Sequence, residues 1–164
     1  MNFALSANLP HFLSPSWLAL AGLVLIFSAA AGYRLSRDSS AWAARLAFLA
    51  AVAAVGMALE VFLNGGQTAA LLHKHMFQVD LYLDRLSAVM FLLVSFLGAV
   101  VVRYSVNYLA GDPQQGRFTK WLCVTIGSVL LLCISGNLLM FTLAWTATSL
   151  SLHKLLTFYP DRPA

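Results

Sequence analysis

The sequence predicts an all-α integral membrane protein with about five transmembrane helices. Of its 164 residues, 60% are hydrophobic and only 10% are charged, and the mean hydropathy is +0.80. A soluble domain needs far more polar surface than this chain offers. Because each crossing takes about 20 apolar residues, a handful of spans uses up the chain. We therefore expect residues 1–164 to form a single membrane domain without catalytic residues of its own.

The first two spans are predicted at about residues 15–33 and 41–63. Ser14 suits a helix cap with Pro15 in the first turn, and residues 1–14 contain no Lys or Arg. The basic region of a cleaved signal peptide is therefore missing, and we expect the first span to be retained. Small residues spaced three or four apart let another helix approach closely. The second span has such a stripe of five alanines, Ala43, Ala47, Ala50, Ala54 and Ala58.

The segment 64–84 is predicted to be a short extramembrane hairpin or loop. Asn64-Gly65-Gly66 breaks the second span, and the following residues alternate weakly between apolar and polar types. His73 and His75 lie in this segment, but no further Cys or His cluster completes a metal site. Three more spans follow, at about 86–109, 118–135 and 137–159.

Basic residues are unevenly distributed between the two sides of these spans. Under the positive-inside rule, the side with more Lys and Arg faces the cytoplasm. This places the N-terminus and the 64–84 loop outside and the C-terminus in the cytoplasm. No basic run interleaved with aromatic residues occurs, so we expect the lipid bilayer and no nucleic acid as a partner. One side holds Arg34, Arg37, Arg45, Arg103, Arg117, Lys120 and Arg162, and the other holds Lys74 and Arg85.

The fifth span contains the candidate ion or proton path, formed by Thr146, Ser149, His153 and Lys154. Lipid does not solvate an ionised side chain, so such residues usually face a protein interior or a hydrated cavity. Seven residues at about 100° each bring Thr146 and His153 onto one face, about 10.5 Å apart, with Ser149 between them. Histidine changes its charge near physiological pH, as a proton relay requires.

Structural alternatives for these residues stay open. His153 could be a buried histidine bonded to a neighbouring helix, and Lys154 could extend to the lipid headgroups. The hydroxyl groups could bond to carbonyls of their own helix. Asp84 and Arg85 are candidates for a structural ion pair at the start of the third span, where Asp84 also suits a helix start.

Several motifs from Asp84 onward carry a family resemblance. They are Asp84, Leu86, Ser87 and Met90, then Tyr104-Ser105, Tyr108 and Asp112, then Arg117-Phe118, and then Asn137-Leu138-Leu139, Trp145 and Phe158-Tyr159. This pattern resembles the antiporter-like membrane subunits, which include subunit L (subunit 5) of NADH-quinone oxidoreductase and the large Mrp cation/proton antiporter subunits. The resemblance implies the N-terminal part of an antiporter-like fold, with the remaining helices of a longer subunit as its neighbours. Where that family has a glutamate after the tryptophan, this chain has Thr146.

The run WTATSLSLHKLLTFYPDRP also resembles the DabB family, the membrane subunits of inorganic-carbon accumulation complexes in the bacterial inner membrane. This resemblance implies uptake of CO2 or bicarbonate, in which movement of H+ or Na+ is coupled to a soluble, DabA-like partner related to carbonic anhydrase. Zinc is expected only in that partner, and no cofactor is expected in this chain. Two alternatives remain: a proton-translocating subunit of NADH-quinone oxidoreductase or of an Mrp-type antiporter, and a structural membrane scaffold without an ion path.

Overall fold

The computed structural model describes residues 15–31, 39–65, 67–74 and 77–158. These residues form five helices and one antiparallel hairpin, which confirms the predicted helical fold with a hairpin at 64–84. Helix boundaries lie within three residues of the predicted spans, and Tyr33 and Tyr159 lie outside the described residues. In chain order the elements are α1 Pro15–Ala31, α2 Ser39–Asn64, β1 Gln67–Lys74, β2 Phe77–Leu83, α3 Arg85–Tyr108, α4 Gln115–Cys133 and α5 Leu138–Leu156.

Three of the described helices are long and apolar enough to cross a membrane. The segments are Ala41–Leu63 within α2, Arg85–Tyr108 and Gln115–Cys133, while Ser16–Ala31 is a shorter apolar helix. Helix α5 has 19 residues and carries His153 and Lys154 in its last turn. The chain is a multi-pass membrane protein.

Helices α1 to α4 pack in a ring, in which α1 contacts α2 and α4 while α3 contacts α2 and α4. The five alanines of α2 are at most 5% exposed, so the predicted stripe of small residues is confirmed as a packing surface. Phe91 and Met57 are fully buried in the same core. Helix α5 lies outside this ring and packs mainly against α4.

The hairpin closes one end of the ring, which we call the hairpin end. Leu81 and Leu83 of β2 are 1% exposed, and Tyr82 N–H donates to the carbonyl of Ile134 at 3.0 Å. Gly136 N–H donates to the carbonyl of Asp80 at 2.8 Å. A side chain at Gly136 would place its Cβ 2.7 Å from that oxygen, so the close approach of β2 to the α4–α5 turn requires glycine.

The opposite end of the ring is rich in cations, and we call it the basic end. The alternating direction of the helices brings the start of α4 beside the end of α5, where Phe118 and Phe158 meet edge to face at 5.5 Å. Arg34, Arg37 and Arg162 lie outside the described residues. Within the described part, the basic end holds Arg45, Arg103, Arg117, Lys120 and Lys154.

Candidate functional site

Helix α5 has one packed face and, opposite to it, a row of polar side chains. The packed face contacts α4 through Met140, Ala144 and Ser151, which are 8%, 1% and 1% exposed. The opposite row follows spacings of four, three and four residues, which at about 100° per residue keeps it within about 60° of the helix circumference. We call this row the polar stripe, and it consists of the exposed side chains of Thr142, Thr146, Ser149 and His153.

The hydroxyl groups of the polar stripe bond to carbonyls of their own helix. Thr146 Oγ1 donates to the carbonyl of Thr142 at 2.8 Å, and Ser149 Oγ donates to the carbonyl of Trp145 at 3.1 Å. Thr142 does the same to Leu138 at 2.8 Å. The interpretation of these hydroxyls as bonded within the helix is therefore confirmed. Their donors are satisfied, and their oxygen lone pairs stay free to accept hydrogen bonds or bind a cation.

His153 is the titratable member of the polar stripe. Its side chain is exposed, and its carbonyl accepts hydrogen bonds from the N–H and the hydroxyl of Thr157 at 3.0 and 2.8 Å. The alternative of a histidine buried against a neighbouring helix does not hold within the described part of the chain. His153 lies in the last turn of α5, three residues before the helix ends at Leu156.

Lys154 does not share the face of the other candidates. It is exposed in the last turn of α5, about 100° around the helix from His153. A lysine in the last turn is attracted to the partial negative charge of the last carbonyls of the helix, and its side chain can reach the lipid headgroups. The structure thus brings Thr146, Ser149 and His153 together and separates Lys154 from them. The sequence interpretation missed Thr142, although its spacing of four residues before Thr146 was a usable signal.

Asp84 and Arg85 begin α3. The Asp84 carboxylate accepts a hydrogen bond from Ser87 N–H at 2.6 Å and caps the helix. This bond, together with the Ser87 hydroxyl, holds the pKa of Asp84 below its ordinary value. The structural role of Asp84 rests on this cap, and pairing with the exposed Arg85 stays a prediction.

Two buried polar atoms have no hydrogen-bond partner among the described residues: Oδ1 of Asp80 in β2 and Oγ of Ser95 in α3. Burying an unpartnered polar atom costs about 1–3 kcal/mol. Sequence reasoning singled out neither residue, because burial depends on packing between distant segments. In the described part of the chain, no group of three or more His, Cys, Asp or Glu side chains is placed to bind a metal.

Comparison with known proteins shows which membrane subunits this chain is similar to in sequence. Residues 72–119 match the family model described as NADH-ubiquinone oxidoreductase (complex I), chain 5 N-terminus. Over 99% of its length, the chain is 39% identical to the probable inorganic carbon transporter subunit DabB2 of Halothiobacillus neapolitanus. The chain is a homologue of the antiporter-like membrane subunits.

Other homologues match shorter segments. The probable inorganic carbon transporter subunit DabB of Hydrogenovibrio crunogenus is 46% identical over 80 residues, 48% of this chain and 15% of that protein. The Na(+)/H(+) antiporter subunit A1 of Staphylococcus haemolyticus is 39% identical over 85 residues, 52% of this chain and 11% of that protein. Even against DabB2, the chain spans only 30% of the relative's length. These similarities confirm the family resemblance carried by the motifs from Asp84 onward.

Proposed function

We propose that this chain forms the first helices of the membrane subunit of an energy-coupled inorganic carbon transporter. The observation that carries the proposal is the 39% identity to DabB2 over 99% of the chain. In this proposal, movement of H+ or Na+ through the subunit drives uptake of CO2 or bicarbonate by a soluble, DabA-like partner related to carbonic anhydrase. Zinc belongs to that partner. The subunit lies in the bacterial inner membrane with its basic end in the cytoplasm.

The polar stripe of α5 lines part of the ion path in this proposal. Its threonine and serine oxygens offer lone pairs to water or to a cation, and His153 takes up and releases a proton. In this proposal, the remaining helices of the subunit cover the stripe and enclose water between themselves and α5, and this water solvates the imidazole.

Bicarbonate uptake at ambient CO2 tests the role of His153. In the complete transporter, we expect His153→Ala to lower bicarbonate uptake about tenfold or more, because a positioned proton carrier is lost. His153→Gln keeps hydrogen bonding but carries no proton, so its defect should be similar. Lys154→Ala is the matched control on the same helix turn and should keep most of the uptake.

A second pair of variants examines the hydroxyl groups. Thr146→Ala removes a hydroxyl group from the polar stripe. Thr148→Ala removes a hydroxyl group that lies outside the stripe and donates to the carbonyl of Ala144 at 2.9 Å. We expect a larger loss of uptake for Thr146→Ala at equal amounts of protein in the membrane. Full uptake in both His153→Ala and Thr146→Ala would contradict the ion path and favour a structural scaffold.

Cation/proton antiport without carbon uptake is the second candidate function. It is favoured by the 39% identity to the antiporter subunit A1 over 52% of the chain. Inverted membrane vesicles distinguish the two functions. Na+/H+ exchange that proceeds at the same rate with and without inorganic carbon would favour an antiporter, and exchange that requires inorganic carbon would favour the transporter.

A further inference from the structure

A groove opens between α2 and α3 near the basic end. Its volume is about 530 Å³, within the range of pockets that hold small ligands. Its walls are apolar, with Phe48 from α2 and Phe96 and Val100 from α3, and two guanidinium groups, Arg45 and Arg103, line the same groove. These aromatic and aliphatic side chains belong to the outer surface of the ring, where Phe48 is 64% and Phe96 59% exposed.

The two arginines lie inside the apolar segments of their helices. Arg45 is four residues after Ala41, and Arg103 is five residues before Tyr108, which places both Cα atoms about 6–8 Å inside the ends of these apolar segments. Aromatic side chains of the headgroup region lie beside them. Arg45 is 5.2 Å from the centre of the Trp42 ring, and the exposed Tyr104 directly follows Arg103. Such rings prefer the boundary between headgroups and hydrocarbon.

The described residues provide no counter-anion for Arg45 and Arg103. Within the described residues, Asp112 is the acidic side chain at the basic end, and its carboxylate accepts Gln114 N–H at 2.7 Å. The other described acidic residues, Glu60, Asp80 and Asp84, belong to the hairpin end. Two exposed guanidinium groups that line an apolar groove suit an anion with a hydrocarbon part.

We infer that the α2–α3 groove binds an anionic phospholipid, with its phosphate between Arg45 and Arg103 and an acyl chain along the apolar walls. The charge of the pair selects an anionic headgroup over a zwitterionic one, and the groove selects a lipid over free phosphate. The site does not depend on which solute the protein transports. A lipid bound in this groove would fix the depth of α2 and α3 relative to the membrane surface.

Lipid retention tests this site on the full chain purified in mild detergent. The protein is equilibrated with an equimolar mixture of phosphatidylglycerol and phosphatidylcholine, and the retained lipid is measured by mass spectrometry. We expect phosphatidylglycerol to be retained about tenfold over phosphatidylcholine, given two cations near the surface. Arg45→Gln with Arg103→Gln should abolish this preference. Arg85→Gln, the same change at the hairpin end, should leave it intact.

A second matched pair separates the groove from charge alone. Val100 and Val101 are neighbouring valines of α3, 51% and 44% exposed, and only Val100 lines the groove. Val100→Trp should fill the groove and lower lipid retention, whereas Val101→Trp should not. Millimolar inorganic phosphate should fail to displace the lipid.

Four results would overturn the inference. They are equal retention of the two lipids by the wild-type chain, an equal loss in Arg85→Gln and in the double variant, displacement by phosphate alone, and equal effects of the two tryptophan variants. The single variants Arg45→Gln and Arg103→Gln keep the test decisive if the double variant does not fold, since each should lower the preference.

Discussion

At the scale of single residues, the described polar groups mostly satisfy themselves within their own helix, and the exceptions are informative. Ser105, Thr119 and Ser128 are buried, and each donates its hydroxyl hydrogen to the carbonyl four residues earlier. A hydroxyl bonded in this way costs little in an apolar environment. A hydrogen bond to a carbonyl of the same helix does not compensate a charged side chain in this way. His153 and the Arg45–Arg103 pair therefore point to partners outside the described residues.

Asp84 is a residue whose contribution to stability is local and measurable. We expect Asp84→Ala to lower the free energy of unfolding by about 1 kcal/mol, because α3 loses its N-cap. Asp84→Asn should lower the free energy of unfolding by only about a few tenths of a kcal/mol, since asparagine caps equally well. Thermal unfolding of the purified protein in detergent measures both. Equal stability of the alanine variant and the wild type would contradict the cap.

The same cap predicts a dependence on pH. The pKa of Asp84 is lower in the folded protein than in the unfolded chain, so ionised Asp84 favours folding. This contribution is fully present above the ordinary aspartate pKa and is lost as pH falls through the lower folded value. The stability difference between wild type and Asp84→Ala should therefore shrink between pH 7 and pH 3.

At the scale of elements, helix contacts depend on small residues more than on large apolar ones. Helix α2 approaches its neighbours through the five alanines, while Phe48, Leu59 and Phe62 on its outer side are exposed. Lipid is as apolar as these side chains, so burying them gains little, and close packing of small side chains favours association instead. This explains why the outer surface of the ring is rich in large apolar residues.

Overpacking of the alanine stripe tests this arrangement. Ala47 is fully buried, whereas Val52 on the same helix is 52% exposed. Ala47→Leu should lower the free energy of unfolding by about 1–3 kcal/mol, because the added carbons force helices apart. Val52→Leu adds apolar volume on the outer side and should be nearly neutral. Thermal unfolding in detergent compares the two variants, and equal stability would argue against close packing at Ala47.

At the scale of the whole molecule, the arrangement of charge predicts its orientation in the membrane. The described cations other than Lys74 and Arg85 lie at the basic end, and the hairpin closes the other end. We expect the hairpin end to face the outside of the cell. Arg103, Arg117 and Lys120 all lie at the basic end, because the short connection between α3 and α4 is at that end.

Cysteine labelling checks this orientation. Cys123 and Cys133 are first replaced by alanine, and single cysteines are then introduced at Leu86 on the hairpin end or Ala110 on the basic end, both exposed. A membrane-impermeant maleimide should label Leu86→Cys in intact cells and Ala110→Cys only after the membrane is disrupted. The reverse pattern would overturn the predicted orientation.

Much of the fold and of the candidate site followed from local patterns. Helix positions, the alanine stripe and the shared face of Thr146 and His153 depend on spacing along one helix, so sequence reasoning reached them. The hydrogen bonds that join β2 to the α4–α5 turn at Ile134 and Gly136 connect segments about 50 residues apart and left no local signal. The separation of Lys154 from His153 was computable from helix geometry, but only the packed face of α5 showed which side matters.

By itself, the sequence determined that this protein lies in the membrane, where its helices begin and end, and which residues share a helix face. These properties follow from hydropathy and from a period of about 3.6 residues. Only the tertiary structure decided which faces are covered. It closed α1 to α4 into a ring, left the polar stripe of α5 outside it, and brought Arg45 and Arg103 to one groove. Contacts between helices distant in the chain have no periodic signature, because they depend on how the packed surfaces fit together.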